Sequence, residues 1–220
     1  MTPTDDDRRA LSRQETTDAL PEGWRLVLDQ ALARYETGDF NAGARFVQRI
    51  AELADAADHH PDVDLRYPHV TVGLVSHDVG AITARDTRLA GEIHAAAAEL
   101  GIAVGTAPDK TEIALDTGDL GRVAPFYAAL LGYDSAGDDA LVDPASSGPQ
   151  VWFQGSDSTA PDRQRWHLDV SVPHDDAEAR LQAVLDAGGR LVDDSAAPAF
   201  WVLEDAEGNR SCICTWQARD

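Results

Sequence analysis

Residues 40–77 read FNAGARFVQRIAELADAADHHPDVDLRYPHVTVGLVSH, and the hydrophobic period changes along them. In the first half Phe40, Ala44, Val47, Ala51 and Ala54 recur at helical spacing, with Arg45, Gln48, Arg49 and Glu52 mostly opposite. That pattern predicts an amphipathic helix running into Asp58 and stopping before Pro61. In the second half RYPHVTVGLVSH alternates, with Val70, Val72 and Leu74 on one face and Thr71, Gly73 and Val75 on the other. This predicts a strand in which Gly73 permits a close approach. A long helix feeding an alternating strand is an α+β pattern.

Upstream, Leu11, Ser12 and Glu15 form an SxxE capping box behind an apolar residue, starting a short helix that Pro21 and Gly23 end. WRLVLDQALARYETG then alternates at Trp24, Leu26 and Leu28 and again over Leu32 to Tyr35, which predicts a hairpin before the turn at Gly38. Residues 1–10 are polar and charged, and a disordered tail is expected there. Downstream, Thr83 and Asp86 cap a second long helix with Ile82, Leu89, Ile93 and Leu100 apolar, ended by Gly101. These elements make one domain over residues 11–104, and the aperiodic GTAPDKT at 105–111 reads as a linker.

Beyond the linker the chain repeats itself. EIALDTGDLGRVAPFYAALLGY is strand, turn and helix ending at Gly132, and WHLDVSVPHDDAEARLQAVLDAGGRLV follows the same order to Gly188. Aligning Glu112 with His167 leaves 20 residues to the first glycine and 21 to the second. Each unit continues into short strands, ALVDP and VWFQG in one, FWVLED and SCICTW in the other. Residues 112–220 are therefore expected to be a second α+β domain, a duplicated βαβββ unit.

The chain carries 39 acidic and 18 basic residues, and its net charge of -21 would repel phosphate backbones, which argues against nucleic-acid binding. No apolar run approaches the ~20 residues needed to cross a bilayer, and MTPTDDDRRA lacks the apolar centre of a secretion signal, so a cytoplasmic protein without membrane contact is expected. Cys212 and Cys214 lie two apart on a strand, facing the same way, and are read as reduced core thiols.

His59, His60, His69 and His77 are four of the seven histidines. Pro61 forces the residue before it out of helical geometry, so both imidazoles of the adjacent pair leave the helix near one mouth. A strand of eight residues rises roughly 25 Å, so His77 reaches the pair only if strand end packs against helix end. Neither HxxxH nor HxH occurs, and adjacent histidines diverge, which disfavours a metal. Imidazole titrates near neutrality and suits proton transfer. Asp55, four residues before His59, would share its helical face and orient that ring. Spacing alone leaves proton transfer and solvated turn histidines both open. His69 is expected on the surface.

The sequence D-xxx-HHP from Asp55 to Pro61, then Tyr67, His77 in VSH and Asp86 in TARD, resembles the pterin-4a-carbinolamine dehydratase family. The similarity runs back through GDFNAGARFVQRIAELAD to Gly23 and Trp24 and forward to LAGEI, covering residues 11–103. It implies an antiparallel four-stranded sheet with helices on one face. The implied reaction takes 4a-hydroxytetrahydrobiopterin to the quinonoid dihydropterin, in tetrahydrobiopterin recycling, with a small-molecule pterin as substrate, no cofactor and a homo-oligomeric enzyme. The resemblance carries catalytic roles onto His59, His60 and His77, with His60 and His77 toward the leaving hydroxyl and His59 toward the ring. Asp55 stands where that family usually has Glu, one methylene longer. Pro61 would shape the loop, and Arg85 and Asp86 would position the pair or the pterin edge.

FYAALLG, HLDV and LEDAEGNRSCICTW resemble the glyoxalase/bleomycin-resistance, or vicinal oxygen chelate, family over residues 111–217. Its metal-dependent members draw ligands from the first and last strand of each repeat, which by position implies Glu112, Gln154, His167 and Cys212. Gln is a weak donor and Cys a soft one, a poor set for hard divalent ions, so a metal-free domain is expected, one that binds a small molecule or serves in packing and dimerisation. Trp152, Phe153, Trp166, Phe200, Trp201 and Trp216 line either a pocket or the core, with core packing favoured. The leading reading is a dehydratase. One alternative keeps the N-terminal domain as an oligomerisation platform for small-molecule sequestration by the C-terminal one; another makes the C-terminal half a metal-dependent lyase or dioxygenase.

Overall fold

A computed structural model of the chain describes residues 6–157, 167–172, 175–215 and 217–218. The chain divides into two compact units, 1–110 and 111–220.

The first unit begins with a 3-10 turn at Asp6–Arg8, inside the segment expected to be disordered. Ion pairs hold it, Arg88 to Asp7 at 2.6 Å and Arg8 to Asp78 at 3.5 Å. Helix α1 (Arg13–Ala19) has the expected capping box, with Ser12 and Glu15 each bonding the other's backbone N–H. Strands β1 (Arg25–Val27) and β2 (Gln30–Glu36) pair antiparallel as the expected hairpin. Asp39 caps α2 (Phe40–Ala57) by accepting the Ala42 N–H at 2.8 Å. Strands β3 (Asp62–Leu65) and β4 (His69–Leu74) follow, then α3 (Ala84–Glu99) behind its Thr83–Asp86 capping box, and a two-residue β5 (Ala103–Val104). The sheet runs β1-β2-β4-β3, antiparallel throughout, with β5 added beside β2.

Val70, Val72 and Leu74 are fully buried, as their alternation predicts, against Phe46, Ile50, Leu89 and Ile93. The close approach at Gly73 is by Gln30, whose Nε2 lies 2.6 Å from where a Cβ would stand. The rotation of α2 differs from the expected one. Its buried residues are Gly43, Phe46, Ile50 and Ala54, while Ala44, Ala51 and Phe40 are exposed. The expected phase ran through alanines, which bury little area on either face; Phe46 and Ile50, each worth about 1.5–3 kcal/mol when buried, set the rotation instead. Leu100 is 48% exposed rather than buried, because α3 has ended and Gly101, at φ +68, turns the chain away.

The second unit repeats one pattern. Strand β6 (Glu112–Thr117), α4 (Leu120–Leu131), β7 (Asp134–Ala136), β8 (Ala140–Val142) and β9 (Gln150–Gly155) form a sheet ordered β6-β9-β8-β7. Strand β10 (Leu168–Ser171), α5 (Ala177–Asp186), β11 (Arg190–Asp193), β12 (Phe200–Glu204) and β13 (Arg210–Cys214) form another, ordered β10-β13-β12-β11. In each the first and last strands pair in parallel. The shared core holds Val123, Phe126, Leu130, Val184, Leu203 and Ile213. Phe153 and Trp201 join it, Trp152 and Phe200 are half-buried, and Trp166 and Trp216 lie outside the described residues. Among the described residues no helix is long and apolar enough to cross a membrane.

Candidate active site

The end of α2 decides where the histidines go. Asp58 takes the left-handed conformation, φ 50 and ψ 42, and the His59 N–H donates back to the Ala54 carbonyl at 3.1 Å, the six-to-one bond of a Schellman closure. The chain therefore leaves the helical path one residue before His59. That residue turns inward and is buried, whereas His60 points out to solvent.

His59 Nε2 lies 2.7 Å from Oδ1 of Asp86, which is wholly buried. The other oxygen, Oδ2, accepts from Ser76 Oγ at 2.7 Å, from the Thr83 N–H at 2.7 Å and from Thr83 Oγ1 at 3.2 Å. Asp86 thus serves both as the third residue of the α3 capping box and as the partner of His59. Burial is the largest influence on this carboxyl and pushes its pKa up, but the hydrogen bonds from His59, Ser76 and Thr83 outweigh it and hold the pKa below its ordinary 3.8. An ionised carboxylate only accepts, so Nε2 of His59 is the donor, and Nδ1 is the ring atom left to exchange a proton.

Asp55 does not orient His59. Its Oδ1 meets His60 Nε2 at 3.0 Å, because the left-handed Asp58 carries the chain off the face that the i, i+4 spacing assumed. Both side chains of this second pair are largely exposed. Pro61, half-buried, leads from His60 into β3.

His77 is exposed, on the turn that follows β4. Ser76 anchors that turn, donating its N–H to Ala81 and accepting from the N–H groups of Val79 and Gly80. Helix end and strand end are therefore joined by a continuous chain, His59 to Asp86 to Ser76, with His77 next in sequence. Among the described residues no hydrogen bond links His77 to either member of the pair. Among the described residues no hydrogen bond or ion pair joins Arg85 to the histidines; its Nη2 donates to Asp78 on the turn at 2.6 Å, and this bond is the main reason the Asp78 pKa is lowered. His69 is half-buried rather than on the surface, with a buried, unpartnered Nδ1. Sequence reasoning missed Ser76, for which the available signal was a small hydroxyl residue directly before His77 at the end of a buried strand.

In the second unit the four positions implied for a shared metal do not converge. The β6–β9 register places Glu112 opposite Gln150 and Gln154 opposite Asp116, so Glu112 and Gln154 are separated by four residues of strand, about 13 Å. His167 and Cys212 do come close, and the third donor beside them is Asp169.

Residues 9–96 match the family profile described as pterin 4 alpha carbinolamine dehydratase, and residues 112–214 match a glyoxalase-like domain. A candidate pterin-4-alpha-carbinolamine dehydratase of Acidobacterium capsulatum is 43% identical over 82 residues, which are 37% of this chain and 88% of that protein. A transcriptional coactivator/pterin dehydratase structure from Brucella melitensis is 28% identical, covering 40% of this chain and 99% of that one, with a TM-score of 0.39. A glyoxalase/bleomycin resistance protein/dioxygenase family structure from Burkholderia phytofirmans is 16% identical, covering 47% and 95%, with a TM-score of 0.39.

Proposed function

The chain belongs, through residues 9–96, to the pterin-4a-carbinolamine dehydratase family, and from that premise we propose that it dehydrates 4a-hydroxytetrahydrobiopterin by histidine acid–base catalysis, in tetrahydrobiopterin recycling. The catalytic unit occupies residues 11–104, ahead of a linker at 105–111 and the glyoxalase-like unit at 112–220.

The reaction breaks the C4a–O bond. An acid delivers a proton to the departing hydroxyl, which leaves as water, while a base removes the N5 proton and that electron pair becomes the C4a–N5 double bond. Both steps need groups that exchange protons near neutral pH, and each is worth typically ~10²–10⁴-fold. His60 and His77 serve the leaving hydroxyl and His59 faces the ring. The observation that carries this reading is the buried bond between His59 and Asp86, which holds the ring by Nε2 and, with Asp86 ionised, leaves Nδ1 as the atom that would exchange a proton. Asp55 plays the same orienting part for His60.

His60→Ala and His77→Ala each remove an exposed side chain, so stability should stay unchanged while kcat/KM for 4a-hydroxytetrahydropterin dehydration falls by ~10²-fold or more. Failure of the intact protein to dehydrate this substrate, beside a working dehydratase, would overturn the proposal.

A further inference from the structure

We infer that His167, Asp169 and Cys212 form a site for one zinc-class divalent cation, built within the second repeat alone. The backbone places these donors before any side-chain detail is considered. Asp169 on β10 is the direct neighbour of Cys212 on β13 in a parallel pair, and His167 precedes Asp169 by two residues, which puts it on the same face. Leu168 and Val170 take the opposite face and pack into the core. The nitrogen, oxygen and sulfur donors all lie within 4.8 Å of one another. His167 Nε2 is 3.1 Å from Asp169 Oδ1, close to the ~3.3 Å edge of a tetrahedron with ~2.0 Å metal bonds. Cys212 is buried at the base, while His167 and Asp169 are half-exposed at the rim, so an ion reaches the thiolate from solvent past two donors that can swing to meet it.

The donor types select the ion. Magnesium, calcium and manganese favour all-oxygen sets, whereas a thiolate beside an imidazole and a carboxylate suits zinc, with three protein ligands and a fourth position left for water or an anionic ligand. This is a different set from the two-repeat one that the family resemblance implies. The first repeat supplies the internal control. With Glu112 in the place of His167, Ala114 stands in the place of Asp169 and its neighbour across the parallel pair is Trp152, so a single donor, Glu112, remains. The plain alternative is an exposed His–Asp ion pair that happens to lie beside a core thiol.

The full chain, stripped of metal, separates these. Titration with Co²⁺ should give a thiolate-to-cobalt charge-transfer band saturating at one equivalent, and Zn²⁺ should displace it. Cys212→Ser should abolish the band. Asp169→Asn and His167→Ala should weaken Zn²⁺ at least about tenfold, measured by competition with a chromophoric chelator. Glu112→Gln should leave affinity unchanged. Asp169→Asn alters only an exposed side chain, so its effect stays interpretable even if Cys212→Ser disturbs folding. Lack of saturable one-to-one binding, binding indifferent to Asp169→Asn, or binding lost in Glu112→Gln would each overturn the site. None of these readouts depends on dehydratase activity.

Discussion

Two adjacent histidines each meet an aspartate, and burial makes the pairs unlike. His59 and Asp86 are closed off from solvent, with both oxygens of the carboxylate engaged; His60 and Asp55 lie in water with the same nominal contact. In water such a pair gains little over hydration and is worth about 0–1 kcal/mol. Inside, the pair is not a large net gain either, but removing one partner strands the other, which costs roughly 3–5 kcal/mol. The same two residue types therefore serve as a structural commitment in one case and as an adjustable device in the other.

Asp86→Ala carries the largest expected effect. It strands the His59 ring and the Thr83 N–H and leaves the Ser76 hydroxyl only its bond with Thr83 Oγ1, so urea unfolding of the N-terminal unit should show a loss of about 3 kcal/mol or more. A loss below about 1 kcal/mol would erase the distinction between the pairs. An acid titration sharpens it. The folded pKa of Asp86 is depressed, so the stability its ionised form contributes is fully present above the ordinary 3.8 and is lost as pH falls through the lower folded value. The gap between wild type and Asp86→Ala should accordingly narrow below that pH, and a gap independent of pH would show that charge is not what Asp86 contributes. The smallest effect belongs to Asp55→Ala, which should change stability by no more than about 0.5 kcal/mol while lowering dehydration through His60. A stability loss comparable to that of Asp86→Ala would break the comparison.

Local chemistry was readable where it stays local. The Ser12–Glu15 and Thr83–Asp86 boxes follow from short spacings and stand as expected, as do the β4 alternation and the duplicated strand order. What failed depends on one backbone choice or one partner. The left-handed Asp58 reassigns Asp55 from His59 to His60, and an aspartate at a helix end does not announce that conformation. The phase of α2 was ambiguous because alanine fits either side. Asp169 went unnoticed because its closeness to Cys212 arises from a parallel register between strands more than forty residues apart, beyond any periodicity in one segment. His59 meeting Asp86 is of the same kind, a contact across 27 residues that no spacing rule reaches.

Because one carboxylate both closes the first turn of α3 and grips the His59 ring, those two features open as a single unit. Fraying of that helix start would release the imidazole, and loss of the imidazole would free the helix start to fray. The Thr83 amide, bonded to the same oxygen atom as Ser76, then becomes a reporter whose hydrogen-exchange protection tracks the placement of the His59 ring some distance along the chain.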